Sequence, residues 1–219
     1  MSLKNIYPSI LDASPDKIID LFETFKKHEI FGIHIDVMDG NYVPSYGFND
    51  RFIKWMNCNT DFYKDIHLMI DNPEQRIDTF IEAGADSITV HYNTSGDIYF
   101  LISKLNSSGV KSGIALNPSE HPELIREVLP ILDHVLVMTC SPGRPSNGSI
   151  MAMTKKVKWL NQYRKDNNLN YRIEVDGGIN ADNIKAFVDN GCDDFVSGGY
   201  LTKTNDIDEH IESLKELLN

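Results

Sequence analysis

The 219-residue chain has little cysteine: Cys58, Cys140 and Cys192, with no CxxC spacing among them. A sparse, odd set of this kind excludes a disulfide scaffold and a cysteine zinc cage, and it points to a reducing compartment, the cytoplasm. Long apolar runs are missing as well. No stretch reaches the roughly 18 residues that a membrane-spanning helix needs, and the opening MSLKNIYPSI lacks the pattern of a secretory signal. Positive charge is scarce, with 21 Lys and Arg against 32 Asp and Glu and a net charge of −11. That balance argues against nucleic acid or an anionic membrane as a partner, since both select basic surfaces. An anionic small molecule stays open, because a few backbone amides hold a phosphate inside an acidic protein. What remains, 41% apolar and 24% charged residues, is the composition of an ordinary globular domain, here expected to span residues 1–219 as one unit.

Short β-branched or apolar runs alternate with longer helical patterns along the chain. Strands are expected at 5–10, 33–38, 62–69, 87–91, 111–116, 134–139, 171–176 and 194–197. Between them lie segments such as PDKIIDLFETFKKHEI and NADNIKAFVDNG, with apolar residues every three or four positions. Ser14 before Pro15, Asn72 before Pro73, and Asn180 with Asp182 read as helix starts. Gly32, Gly84, Gly109 and Gly191 read as helix ends just ahead of strands, at intervals near multiples of one-eighth of the chain. Eight βα units with apolar strands predict an α/β fold, a closed (β/α)8 TIM barrel.

In such a barrel the chemistry sits at the carboxyl ends of the strands. Those ends read Ser9, His34 with Asp36, His67, His91, Asn117, Thr139, Asp176 and Ser197, where buried strands ordinarily finish on Val, Ile or Leu. His34 and Asp36 are two apart and share a strand face; so do Asp65, His67 and Met69, and so do Glu174 and Asp176. Two imidazoles and two carboxylates converging from strands two, three and seven suit one divalent cation, Zn, Mn, Fe or Co, better than Mg. Glycines close the late strands as Pro142-Gly143, Gly177-Gly178 and Gly198-Gly199. Their exposed amides form an expected phosphate cradle, since a Cβ would keep the backbone from the phosphate oxygens. His28, His121, His134 and His210 read as surface residues, and Cys140 as a small buried filler.

The segments PSIL, HIDVMDGNYVP, DIHLMIDNPE, GADSITVHY, ALNPS, VLVMTCSPG, IEVDGGIN and VSGG occur in that order from about residue 7 to residue 200. Together they resemble the ribulose-phosphate 3-epimerase family, which includes enzymes acting on allulose 6-phosphate. The resemblance implies a metal-dependent 3-epimerase of a ketose phosphate, with His34, Asp36, His67 and Asp176 as ligands and Asp36 and Asp176 as the two proton-transfer bases. It implies that Met38, Met69 and Met138 form a layer beside the metal and that Ser9 touches substrate. His67, Asp176, Gly143, Arg144, Gly177, Gly178, Gly198 and Gly199 complete the expected substrate-binding set.

Two loops depart from the family pattern. SPGRPSNG, Ser141 to Gly148, stands where NPGFGGQ is usual, which places Arg144 and Pro145 in a loop that is otherwise rich in glycine. Ser197-Gly198-Gly199-Tyr200 stands where Gly-Ser is typical. Both changes touch substrate contacts and neither touches the metal set. A decarboxylase or aldol-type lyase on the same barrel resembles a DxKxxD pattern; here histidine, His67, occupies the lysine position. A sugar-phosphate-binding barrel without turnover would have lost part of the quartet, and all four members are present. The sequence leaves open the identity of the ketose phosphate and whether the chain forms a homo-oligomer.

Overall fold

Alternation within each strand decides which way its side chains face, and in this chain the two faces differ in kind. The computed structural model describes residues 4–144 and 148–218. Its eight strands are β1 (Asn5–Pro8), β2 (Gly32–Met38), β3 (Tyr63–Met69), β4 (Ser87–His91), β5 (Lys111–Leu116), β6 (His134–Met138), β7 (Arg172–Asp176) and β8 (Asp194–Ser197). The helices are α1 (Ile18–Lys27), α2 (Asp50–Asn59), α3 (Ile77–Ala83), α4 (Ile98–Ser107), α5 (Thr154–Asp166), α6 (Ile184–Asp189), the short α7 (Gly199–Thr202) and α8 (Ile207–Leu218). All strand pairs are parallel, in the order β1-β8-β7-β6-β5-β4-β3-β2. A parallel bridge between Ser9 and His34 closes the ring. The fold is the expected (β/α)8 barrel.

Strand limits agree with the sequence reading to within two residues; 87–91, 111–116 and 194–197 coincide with it. Gly84, Gly109 and Gly191 have φ of +94°, +77° and +95° and end helices. Gly32 does not. It opens β2, pressed against the Tyr7 ring, and Glu29 takes the left-handed turn after α1 instead. The fifth unit also departs from the pattern. Between β5 and β6 the chain forms 3-10 turns at Pro122–Ile125 and Leu129–Ile131; Pro122 opens the first, and Pro130 cannot donate the hydrogen bond that would carry one continuous helix through.

Outward residues Ile33, Ile35, Ile66, Leu68, Ile88, Val90, Val135, Val137, Ile173 and Val175 join helix residues such as Phe22, Phe25, Leu101, Leu160 and Phe187 in one buried cluster. Each fully buried side chain of this size contributes about 1.5–3 kcal/mol, and this layer holds the barrel. Among the described residues two small apolar clusters lie on the inward side, Met38 with Met69 and Val43, and Met138 with Ala115 and Leu136. Much of the remaining inward face is polar: Ser9, His34, Asp36, Asp65, His67, Ser87, Thr89, His91, His134 and Glu174 are all buried. Among the described residues no helix is long and apolar enough to cross a membrane.

His134 is therefore not a surface residue. It is buried at the start of β6 with Nε2 2.6 Å from the Thr89 hydroxyl, and burial lowers its pKa. It fits because its neighbour on β5 is Gly113, where a Cβ would lie 2.1 Å from His134 Nε2. Gly113→Ala is expected to destabilise the fold by about 1–3 kcal/mol, the usual cost of overpacking. Urea denaturation measures this, and an unchanged midpoint would show that the ring has room to move.

Candidate active site

The register of β2 against β3 builds the centre of the site. It places His34 opposite Asp65, Asp36 opposite His67 and Met38 opposite Met69, while β6 and β7 pair Met138 with Asp176. His67 Nδ1 lies 3.3 Å from Asp36 Oδ1 and 3.8 Å from Asp176 Oδ2, and His34 Nε2 lies 3.5 Å from Asp36 Oδ1. Ligand atoms of His34, Asp36, His67 and Asp176 all fall within 4.8 Å of one another. The four residues expected to act together do meet.

Each imidazole is held by the nitrogen that faces away from this cluster. His34 Nδ1 is 2.6 Å from Asp65 Oδ2, and Asp65 in turn accepts from the Ser87 hydroxyl. His67 Nε2 is 2.9 Å from His91 Nε2, with the two rings stacked 4.9 Å apart. The inner nitrogens, His34 Nε2 and His67 Nδ1, are buried without a hydrogen-bond partner. Orphaned buried nitrogens facing two carboxylates fit a divalent metal, whose histidine ligands carry their proton on the outer nitrogen and donate it to a neighbour. Electrostatics agree. Burial disfavours a charged His34, yet Asp36 and Asp65 hold its pKa well above the ordinary imidazole range. The carboxylates thus favour positive charge between them.

Burial works to raise the Asp36 carboxyl, but the His34 and His67 imidazoles outweigh it and hold the group well below the usual range. Asp176 has the opposite balance: burial and the Asp36 charge push it up to about 6. Ser9 donates to Asp36 Oδ2 at 2.7 Å. Burial and the Asp65 charge push the Glu174 carboxyl well above the usual carboxylate range. Its grouping with His34 and Asp65 forms an outer layer, since His34 Nδ1 is already committed to Asp65.

Above the quartet opens a cavity of about 750 Å³. Ser9, Asp36, Asp176, Met38, Met69, Met138, Gly143, Arg144, Gly178, Gly198 and Gly199 line it, as expected. His34 and His67 lie beneath this surface, fully buried. Gly177 is not part of the lining. Its φ of +124° and the Cys140 backbone, 2.7 Å from where its Cβ would sit, make it a packing glycine. Cys140 is half-buried and lines the cavity, so it is not a core filler. Thr139 and Ser197 turn out to pin loops, donating to Gly177 O at 2.6 Å and Ile179 O at 2.9 Å. Asn117 donates to the Tyr42 hydroxyl at 2.9 Å, and the Tyr42 ring packs on His91. His28 is largely covered, between Asp208 and Glu212, and His210 stacks on Tyr200; only His121 is exposed, as expected. Arg144 is exposed at the rim, and Pro145 lies outside the described residues.

The period-two spacing of Asp65 and His67 puts Asp65 on the inner face, but nothing in the sequence marks it as the partner of His34. Asp12 and Lys203, also in the lining, had no signal at all.

Residues 5–202 match the model of the ribulose-phosphate 3 epimerase family. The chain belongs to this family. It is 36% identical to the ribulose-phosphate 3-epimerase of Treponema pallidum, with 87% of this chain and 88% of that protein covered. It is 31% identical to the Bacillus subtilis protein of the same name, covering 96% and 97%. The Arabidopsis thaliana chloroplastic ribulose-5-phosphate-3-epimerase shares 35% identity over 96% of this chain and 75% of that one. The chain is accordingly an epimerase, an isomerase-class enzyme acting on carbohydrates. Among solved structures, a 3-hexulose-6-phosphate synthase superposes with a TM-score of 0.72 at 16% identity, covering 98% of this chain and all of that one. Phosphoribosyl anthranilate isomerase from Thermotoga maritima superposes with 0.65 at 12% identity, covering 99% and 98%. Those two likenesses concern the barrel alone.

A divalent ion held by this cluster would compete with protons at Asp176. Its raised pKa means that it is protonated below about pH 6 in the metal-free chain. Affinity for Mn²⁺ or Zn²⁺ is expected to rise with pH as His34 gives up its proton, and below about pH 6 to fall more steeply, by up to a further tenfold per pH unit, as Asp176 is protonated too. Calorimetric titration at pH 5, 6 and 7 of the parent chain and of Asp176→Asn tests this; the same pH slope below 6 in both would remove Asp176 from the ligand set.

Proposed function

We propose that the chain is a metal-dependent 3-epimerase of a ketose phosphate, of the ribulose 5-phosphate to xylulose 5-phosphate type, working in the cytoplasm. The observation that carries this reading is the pair of carboxylates, Asp36 and Asp176, reaching one cavity from β2 and β7 above two oriented imidazoles. The intact quartet and the activities of the relatives support it.

A proton on carbon beside a ketone is too weak an acid for an unaided carboxylate, and inversion requires access to both faces of a planar enediolate. A divalent ion held by His34, Asp36, His67 and Asp176 would supply Lewis-acid stabilisation of the developing negative charge. One of the two aspartates, as carboxylate, takes the C3 proton; the other, protonated, returns a proton to the opposite face. Microscopic reversibility sets the order, so each aspartate begins the cycle for one epimer. The Ser9 hydroxyl, 2.7 Å from Asp36, fixes that carboxylate and borders the cavity. Met38, Met69 and Met138 give the sugar an apolar wall that limits exchange of the abstracted proton with water. Backbone amides around Gly143, Gly178, Gly198 and Gly199 face the phosphate end, and Arg144 stands at the rim as a further contact.

The cavity, about 750 Å³, also accommodates a hexulose phosphate such as allulose 6-phosphate. Relative kcat/KM across a panel of ketose phosphates in D2O, with Mn²⁺, Zn²⁺ or Fe²⁺ added, identifies the preferred sugar. Absence of turnover and of C3 deuterium exchange with every sugar would refute the reading.

Two variants test the roles. Asp176→Asn is expected to lose at least a thousandfold in epimerisation, at the upper part of the range for a general acid–base. Wild-type turnover in that variant would refute the two-base assignment, and metal content is measured on the same sample. His67→Ala should lose most of the roughly one divalent ion per chain found by elemental analysis of the parent protein. An unchanged metal content would remove His67 from the ligand set.

A further inference from the structure

A charge pair that proton transfer does not use stands beside the cavity glycines to which the proposed function assigns the phosphate. Lys203 Nζ lies 3.0 Å from Asp12 Oδ1, and both residues line the cavity with Gly178, Gly198 and Gly199. Their place above the glycines is close. A Cβ built on Gly199 would sit 3.2 Å from Asp12 Oδ2, 3.5 Å from Lys203 Cδ and 3.8 Å from its Cε. Lys203 follows α7, and its backbone N–H donates to Gly199 O at 3.0 Å. This helical spacing of four stacks the lysine stem directly over Gly199. The space over the bare Gly199 is occupied by the lysine–aspartate pair.

Resting on the epimerase reading above, we propose that Lys203 is the side-chain cation that recognises the substrate phosphate, with Asp12 holding it over the Gly198-Gly199 backbone until the phosphate arrives. An ammonium is a compact charge with three donors on a flexible stem. Lys203 is 61% exposed and Asp12 47% exposed, so the ammonium turns to a phosphate oxygen without leaving a buried charge unpaired. Asp12 by itself would repel a dianion in a chain that already carries −11. Paired with Lys203 it presents no net charge, and it keeps the ammonium from ranging into solvent. The pair makes recognition selective: a sugar without phosphate gains nothing from Lys203.

The test uses Lys203→Met, which keeps an unbranched stem and removes the charge, and Lys203→Arg as the conservative variant. Calorimetric Kd values are measured for ribulose 5-phosphate, for ribulose and for inorganic phosphate, together with kcat and KM for the two sugars. In Lys203→Met, Kd and KM for the phosphorylated sugar and Kd for phosphate are expected to rise about tenfold, the lower part of the range for a hydrogen bond to a charged group. The value of kcat should stay within about twofold, because the contact is the same in ground and transition states. Lys203→Arg should recover most of the loss. An unchanged phosphate Kd in Lys203→Met, or equal losses on ribulose and ribulose 5-phosphate, overturns the proposal. If the parent protein epimerises no ketose phosphate but its phosphate affinity still depends on Lys203, the phosphate site stands and the reaction reading falls. If it binds no phosphate, the Lys203 assignment falls whatever the reaction.

Discussion

The alignment of β2 with β3 is the constraint on which the remainder of the site rests. Because side chains on a strand alternate between faces, sliding β3 by one residue would turn Asp65, His67 and Met69 toward the helices and Ile66 and Leu68 into the barrel. The observed alignment sets His34 beside Asp65 and Asp36 beside His67 in two successive layers. The lower pair becomes a hydrogen bond of 2.6 Å that orients an imidazole. The upper pair leaves a nitrogen and a carboxylate oxygen 3.3 Å apart around the same space. The outward Ile33, Ile35, Ile66 and Leu68, all fully buried, lock this alignment, so packing on the outside of the sheet is what makes the chemistry on the inside geometrically possible.

A polar barrel interior carries a cost, since a buried unpaired charge or dipole is strongly unfavourable. The chain meets that cost by connecting groups in chains: Ser87 to Asp65 to His34 on one side, and His91 to His67 on the other. At their inner ends both chains leave a nitrogen without a hydrogen-bond partner, His34 Nε2 and His67 Nδ1, facing Asp36 and Asp176 where a cation fits. Glu174 shows the complementary response, in which burial and the Asp65 charge push a carboxyl well up and so favour its neutral form.

Much of the barrel was legible from pattern alone. Eight short β-branched runs, glycines at helix ends and even spacing imply βα repetition, and the period-two placement of His34 with Asp36 put both on the inner face. The departures have local causes. Proline residues replaced a fifth-unit helix by 3-10 turns, and Gly113 made room inside the barrel for His134, which looks like a surface residue when only its own strand is read. Thr139 and Ser197 sit at strand ends like the site residues, yet their hydroxyls bond backbone carbonyls of neighbouring loops. A strand-end position identifies a candidate, and only its surroundings assign the work it does.

By itself, the order of residues determined that this chain folds as a βα barrel, that its inner strand faces carry two histidines and two aspartates, and that it belongs among the 3-epimerases. Those properties follow from local periodicity and from motifs contained within a few residues. Tertiary structure alone decided which groups stand behind the ligands, which glycines open onto the cavity and which merely pack, and that Asp12 from the first loop meets Lys203 from the last. Each of these depends on segments far apart in the chain, brought together by ring closure between β1, β2 and β8. Contact across that distance leaves no periodic trace in either segment.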